Sequence, residues 1–156
     1  MEQYLDILED SLRKKVMLLD RIIDSGLRQK ELLSAEGTEF EDFDPLWEER
    51  DEALEQIELL DEGFESLYEK VAEELKDNRE RYVDQIRTLQ ELIRQVTERI
   101  NTVHTQEERN KKLFEDYFTR RRSEVKKGRI STRAAMSYYQ TGRPTVPDAS
   151  ILDSKK

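Results

Sequence analysis

Few residues in this chain have the types and spacing that chemistry requires. There is one histidine, His104, and no cysteine. Thiolate nucleophiles, zinc–sulfur sites and disulfides are therefore removed together. His104 follows Val103, and Asn101 stands three residues before it, where an inward-facing metal bundle would carry a glutamate. It reads as a residue on the flank of a helix. Neighbouring carboxylates such as Glu73 and Glu74 belong to a heavily charged stretch and read as solvated helix charges. The acidic run Glu36, Glu39, Glu41, Asp42 and Asp44 fits no Ca²⁺-loop spacing, and no glycine-rich phosphate loop is present. The expectation is a protein without catalytic residues, metal or cofactor.

Binding is the chemistry that remains, and it points to the C-terminal third. The chain carries a net charge of −9. Residues 1–108 hold 31 acidic and 14 basic side chains, whereas residues 109–133 hold 3 and 10. An acidic body thus leads into a basic section, an asymmetry that marks a working end or an internal contact. In that section the cations Arg109, Lys112, Arg120, Arg121, Arg122, Lys126 and Lys127 alternate with Phe114, Tyr117, Phe118 and Val125. Ile130, Ala134, Ala135, Met136, Tyr138 and Tyr139 continue the apolar series.

Three readings of this arm stand side by side. In one, it is a solvated helix face whose aromatics close the end of a bundle. In another, its cations contact phosphates of a nucleic acid, which the acidic body opposes. In the third, the apolar residues are anchors for a protein partner's helix and the cations form an electrostatic rim. Apolar anchors beside an irregular tail favour the third, so a nucleic-acid partner is not expected.

The elements that must position these residues are helices. Ala, Glu, Lys, Leu and Arg supply 74 of the 156 residues, and only 5 Gly and 3 Pro interrupt them. That composition belongs to coiled coils and long helices. No segment approaches the ~20 apolar residues of a membrane span, and Met1–Asp10 lacks the layout of a signal peptide. A cytoplasmic location is the expectation.

The first helix is predicted over 3–33, with Leu5, Leu8, Leu12, Val16, Leu19, Ile23 and Leu27 in its apolar stripe. Gly26 either ends it early or admits a close approach; continuation is favoured. Residues 34–44 read as a solvated loop, and Asp44-Pro45 as a capped start. The second helix spans 45–75. The third, over 79–127, opens with Tyr82, Ile86, Leu89, Ile93, Val96, Ile100 and Val103, a strict alternation of 4 and 3 that marks a coiled-coil seam. The next seam positions are polar, Glu107 and Asn110, before Phe114 and Tyr117. Between the second and third helices, Lys76-Asp77-Asn78 is either a tight hairpin or part of one long rod. A lone rod would leave its stripes uncovered, which favours the hairpin.

The predicted architecture is all-α: an elongated antiparallel hairpin or three-helix coiled-coil bundle over 1–127. Its third helix outruns the other two as a protruding arm. Gly128 stops that helix, Ser131 caps a short one from 132 to 140, and 128–156 forms that helix plus a flexible tail.

Several stretches resemble the FlgN-type flagellar export chaperones. They are Glu49-Arg50-Asp51-Glu52-Ala53-Leu54 with Leu60-Asp61-Glu62-Gly63-Phe64, the run from Glu108 to Phe118, and Ala134-Ala135-Met136-Ser137-Tyr138-Tyr139 with the ending Leu152-Asp153-Ser154-Lys155-Lys156. The resemblance implies a cytoplasmic, non-enzymatic chaperone of type III secretion. Such a chaperone holds late flagellar subunits and delivers them to the export apparatus. Hook–filament junction proteins are the implied clients, bound through the C-terminal region; the similar FliT-like group serves the filament cap protein. The alternative is a structural coiled coil that self-associates, as a homodimer, through the arm.

Overall fold

Alternations of 3 and 4 build the molecule, unbroken in the first and third helices and interrupted in the second, where Leu54, Asp61 and Phe64 are only partly buried. The structure, a computed structural model, describes residues 1–122. Helix α1 (Glu2–Ser34) buries Leu5, Leu8, Leu12, Lys15, Leu19, Ile22, Gly26, Gln29 and Leu33. Helix α2 (Asp44–Leu75) buries Trp47, Arg50, Ile57, Tyr68, Val71 and Leu75 in the same rhythm. Helix α3 (Val83–Arg120) buries Ile86, Leu89, Ile93, Val96, Ile100, Val103, Glu107, Asn110, Phe114 and Tyr117. A 3.5-residue repeat keeps one seam of each helix toward its neighbours.

Pairs that cross between helices fix their directions. Lys15 bonds Asp61 at 2.7 Å, and Ser25 donates to the Leu46 carbonyl at 3.0 Å, so α1 and α2 run antiparallel. Arg99 reaches Asp20 at 2.8 Å and Asn110 reaches the Gly26 carbonyl at 2.9 Å, so α3 lies parallel to α1. Arg50 with Glu107 ties α2 to α3. The result is an up-down-up bundle in which α1 approaches both partners closely and the backbones of α2 and α3 stay further apart.

The hairpin expectation holds. Residues 76–78 form a turn, followed by the 3₁₀ turn Arg79–Tyr82. No glycine is needed because Asn78 closes the helix end itself: its amide bonds the Leu75 carbonyl at 3.1 Å and its side chain the Glu74 carbonyl at 3.0 Å. Leu75 and Tyr82 are both buried, so the seam phase carries through the turn.

Four expectations change. Val16 and Ile23 are only partly buried and Leu27 is 46% exposed, because the α1 seam passes through Lys15, Gly26 and Gln29. Lys15 has a partner on α2, Gly26 fits a close approach of α3, and Gln29 bonds Ser25 one turn back on α1, which lets each replace an apolar residue. Residues 34–44 are not simply a solvated loop: Phe40–Phe43 form a 3₁₀ turn that buries Phe43 completely. The cap ahead of Pro45 is not Asp44. Asp44 is the first residue of α2, whose cap position is Phe43 without a side-chain cap bond; the reciprocal pair Glu39 and Asp42 caps the preceding 3₁₀ turn, with the Glu39 amide on Asp42 Oδ2 at 2.8 Å. Finally, α3 does not protrude among the described residues. Its 38 residues run beside the 33 of α1, and the turn at 40–43 covers its last two turns. The remainder of the predicted third helix, the stop at Gly128, the short helix at 132–140 and the tail lie outside the described residues.

Candidate functional site

The far end of the bundle is where aromatic residues from three elements meet. Phe43 sits at the centre, with ring centroids 4.9 Å from Phe114, 5.6 Å from Trp47 and 5.6 Å from Tyr117. Phe118 stacks on Phe114 at 5.8 Å, and Phe40 closes the edge against Trp47 at 5.2 Å. Leu33 is buried with them, making a core separate from the aliphatic one along the rest of the bundle. Offset and edge-on pairs of this kind add ~0.5–1.5 kcal/mol each beyond the area they bury.

A buried polar layer divides the two cores. Arg50 pairs with Glu107, both side chains only 3% exposed. Asn110 bonds the Gly26 carbonyl, and the Gln106 amide donates to the Ile23 carbonyl at 3.1 Å. Gly26 admits a close approach at this level: a Cβ there would stand 2.5 Å from Gln106 Oε1, so the end of that side chain would have to shift. Charges removed from water need close partners, and Arg50 and Glu107 supply one to each other across α2 and α3.

On the other side of the aromatic core, basic residues fasten the end of α3 to the α1–α2 connection. Tyr117 donates its hydroxyl to the Thr38 carbonyl at 3.0 Å, and Thr38 in turn bonds the Leu32 carbonyl at 2.7 Å. Arg120 reaches the Leu33 carbonyl at 3.1 Å. Arg121 bonds the Thr38 carbonyl and Glu39 while its guanidinium lies 5.6 Å from the Tyr117 ring centroid. Cations placed at the last carbonyls of α1 also meet the negative end of its dipole. Elsewhere on α3, hydrogen bonds from Arg94 and then Gln95 hold the exposed Glu91 carboxyl below the usual range.

The candidate residues therefore divide. Phe114, Tyr117 and Phe118 are brought together but are at most 4% exposed, so they form the core of this end and are not open anchors. Arg120 and Arg121 fasten the connection, Arg109 is half-buried, and Lys112 and Arg122 face solvent. Val125, Ile130, Ala134, Ala135, Met136, Tyr138, Tyr139, Lys126 and Lys127 lie outside the described residues. Sequence reasoning missed Phe40, Phe43 and Thr38. The signal was available for the aromatics, because Phe40, Phe43 and Trp47 already show the 3–4 rhythm that leads into α2.

Among the described residues, no helix is long and apolar enough to cross a membrane, and no three His, Asp or Glu side chains are placed to hold a metal ion. No curated protein and no solved structure matches the chain. A family model described as FlgN protein matches residues 1–144. That match takes in all three helices, the polar layer, the aromatic end and most of the segment beyond Arg122, and the chain belongs to the FlgN family.

Proposed function

We propose that this flagellar export chaperone holds a hook–filament junction protein in the cytoplasm and that the client is bound through the segment from Val125 to Tyr139. The FlgN match carries the reading, because it continues through that segment to residue 144. Burial of the ring cluster supports a division of labour. Phe114, Tyr117 and Phe118 hold the root of the segment against the bundle, and Val125, Ile130, Ala134, Ala135, Met136, Tyr138 and Tyr139 supply the apolar contacts. Lys112, Arg122, Lys126 and Lys127 raise the encounter rate with an acidic client more than they raise affinity. A flagellar subunit carries helical ends that assemble prematurely when free, and pairing them helix against helix masks them.

The test mixes the full chain with the candidate junction proteins and the cap protein, and measures mass by light scattering after gel filtration. A 1:1 complex with a junction protein is the expected result. A complex formed with the cap protein alone would reassign the client. A stable homodimer that takes up none of them would favour the self-associating coiled coil.

A further inference from the structure

The outer flank of α1 and α2 carries a second surface that the reading above does not use. Two adjoining hollows of about 480 and 520 Å³ run along it, and every lining residue belongs to α1 or α2. They share Met17 and Arg21. Met17 is 59% exposed and Leu59, across the first hollow, is 69% exposed, with Leu18 and Leu60 forming its floor. Met17 and Leu59 thus face water side by side in one hollow and are not singly scattered apolar residues of the ordinary surface kind.

The charges along the flank say what kind of partner fits. In the second hollow most charges are already matched: Arg28 pairs with both Asp24 and Glu49, and Arg99 with Asp20. In the first, Lys14 and Arg21 have no ion pair among the described residues. Residues 1–108 are otherwise strongly acidic, 31 carboxylates against 14 cations. Two unmatched cations beside exposed aliphatic side chains therefore stand out from their surroundings. They are seven residues apart on α1, about 10 Å along the axis, which is two turns of a helix lying alongside. A second copy of this chain is a poor complement, since its flank offers Glu52 as its unpaired carboxylate in these hollows against the same two cations.

We propose that the α1–α2 flank docks an acidic amphipathic helix of another protein, with aliphatic residues over Met17, Leu18, Leu59 and Leu60 and two carboxylates, two turns apart, opposite Lys14 and Arg21. The surface is independent of the end of α3, so a client and this second helix can be held together.

The probe is a stapled 16-residue helical peptide with leucines in heptad spacing and glutamates seven residues apart, beside a twin with lysines in place of the glutamates. Each is titrated into the full chain carrying ¹³C-methyl methionine, so that Met17 reports directly. The acidic peptide is expected to bind saturably and shift the Met17 methyl signal. The Lys14→Glu/Arg21→Glu variant is expected to bind it at least tenfold more weakly and to prefer the lysine twin; Leu59→Glu is expected to weaken both peptides. These positions are exposed, and unchanged circular dichroism checks the fold. Equal binding of the two peptides, or binding without a shift at Met17, would overturn the proposal. A concentration-dependent dimer lost in Leu59→Glu would also overturn it, assigning the flank to a second copy. None of these outcomes uses the C-terminal segment, so the client reading is tested separately.

Discussion

Arg50 and Glu107 are the residues on which the two halves of the bundle depend. Removing one partner of a buried pair leaves the other charge stranded, so Glu107→Ala is expected to destabilise by about 3–5 kcal/mol in urea unfolding. Replacing both with apolar residues, Arg50→Met with Glu107→Leu, is expected to fall within about 1–2 kcal/mol of the parent, because the desolvation penalty disappears along with the pair. If the single and double variants lose the same stability, the layer is not an ion-pair device. At Gly26 two effects oppose one another. Alanine adds ~1 kcal/mol of helix propensity, while its Cβ displaces Gln106 from the Ile23 carbonyl. A bulkier residue cannot be accommodated by moving Gln106 alone, so Gly26→Leu is expected to lower the melting temperature clearly where Gly26→Ala leaves it nearly unchanged.

At the scale of elements, the connection from 35 to 43 acts with the end of α3 as a unit. Phe43→Ala removes the hub of the ring cluster and is expected to destabilise by about 3–5 kcal/mol. Amide exchange should quicken first at 38–43 and 113–121 and least near Leu89, in the other core. Tyr117→Phe loses one hydrogen bond, worth ~1 kcal/mol, and should loosen the same amides without altering the aliphatic seam. Most of this architecture was legible in the sequence. The seam from Tyr82 to Val103 and the polar positions Glu107 and Asn110 follow from a 3.5-residue rhythm, and the hairpin at 76–78 from the need to cover the stripes of a lone rod. The α1 seam was harder to read. A search for apolar residues selects Val16, Ile23 and Leu27, whereas Lys15, Gly26 and Gln29 take the buried places because Asp61, Asn110 and Ser25 complete them. A lysine in a core position looks like an error until its partner on another helix is known. Burial of Phe114, Tyr117 and Phe118 was hidden for the same reason: the rings that cover them come from a stretch dominated by carboxylates.

At the scale of the molecule, the charge asymmetry that first suggested an open arm has a structural use at its root. Arg120 and Arg121 close the bundle, while Lys112 and Arg122 remain facing water. On the proposed reading, a bundle finished in this way is the base from which residues beyond Arg122 engage a client. Raising salt is therefore expected to slow association with the client several-fold while changing dissociation little, because exposed cations act mainly on encounter; stopped-flow mixing at two ionic strengths measures both rates. The most direct test compares the full chain with a version ending at Lys127, titrated calorimetrically with a hook–filament junction protein. The full chain should bind at 1:1, and the shortened chain should keep its helical content and lose at least a hundredfold in affinity. Undiminished binding by the shortened chain would contradict the account and return the client to the bundle itself.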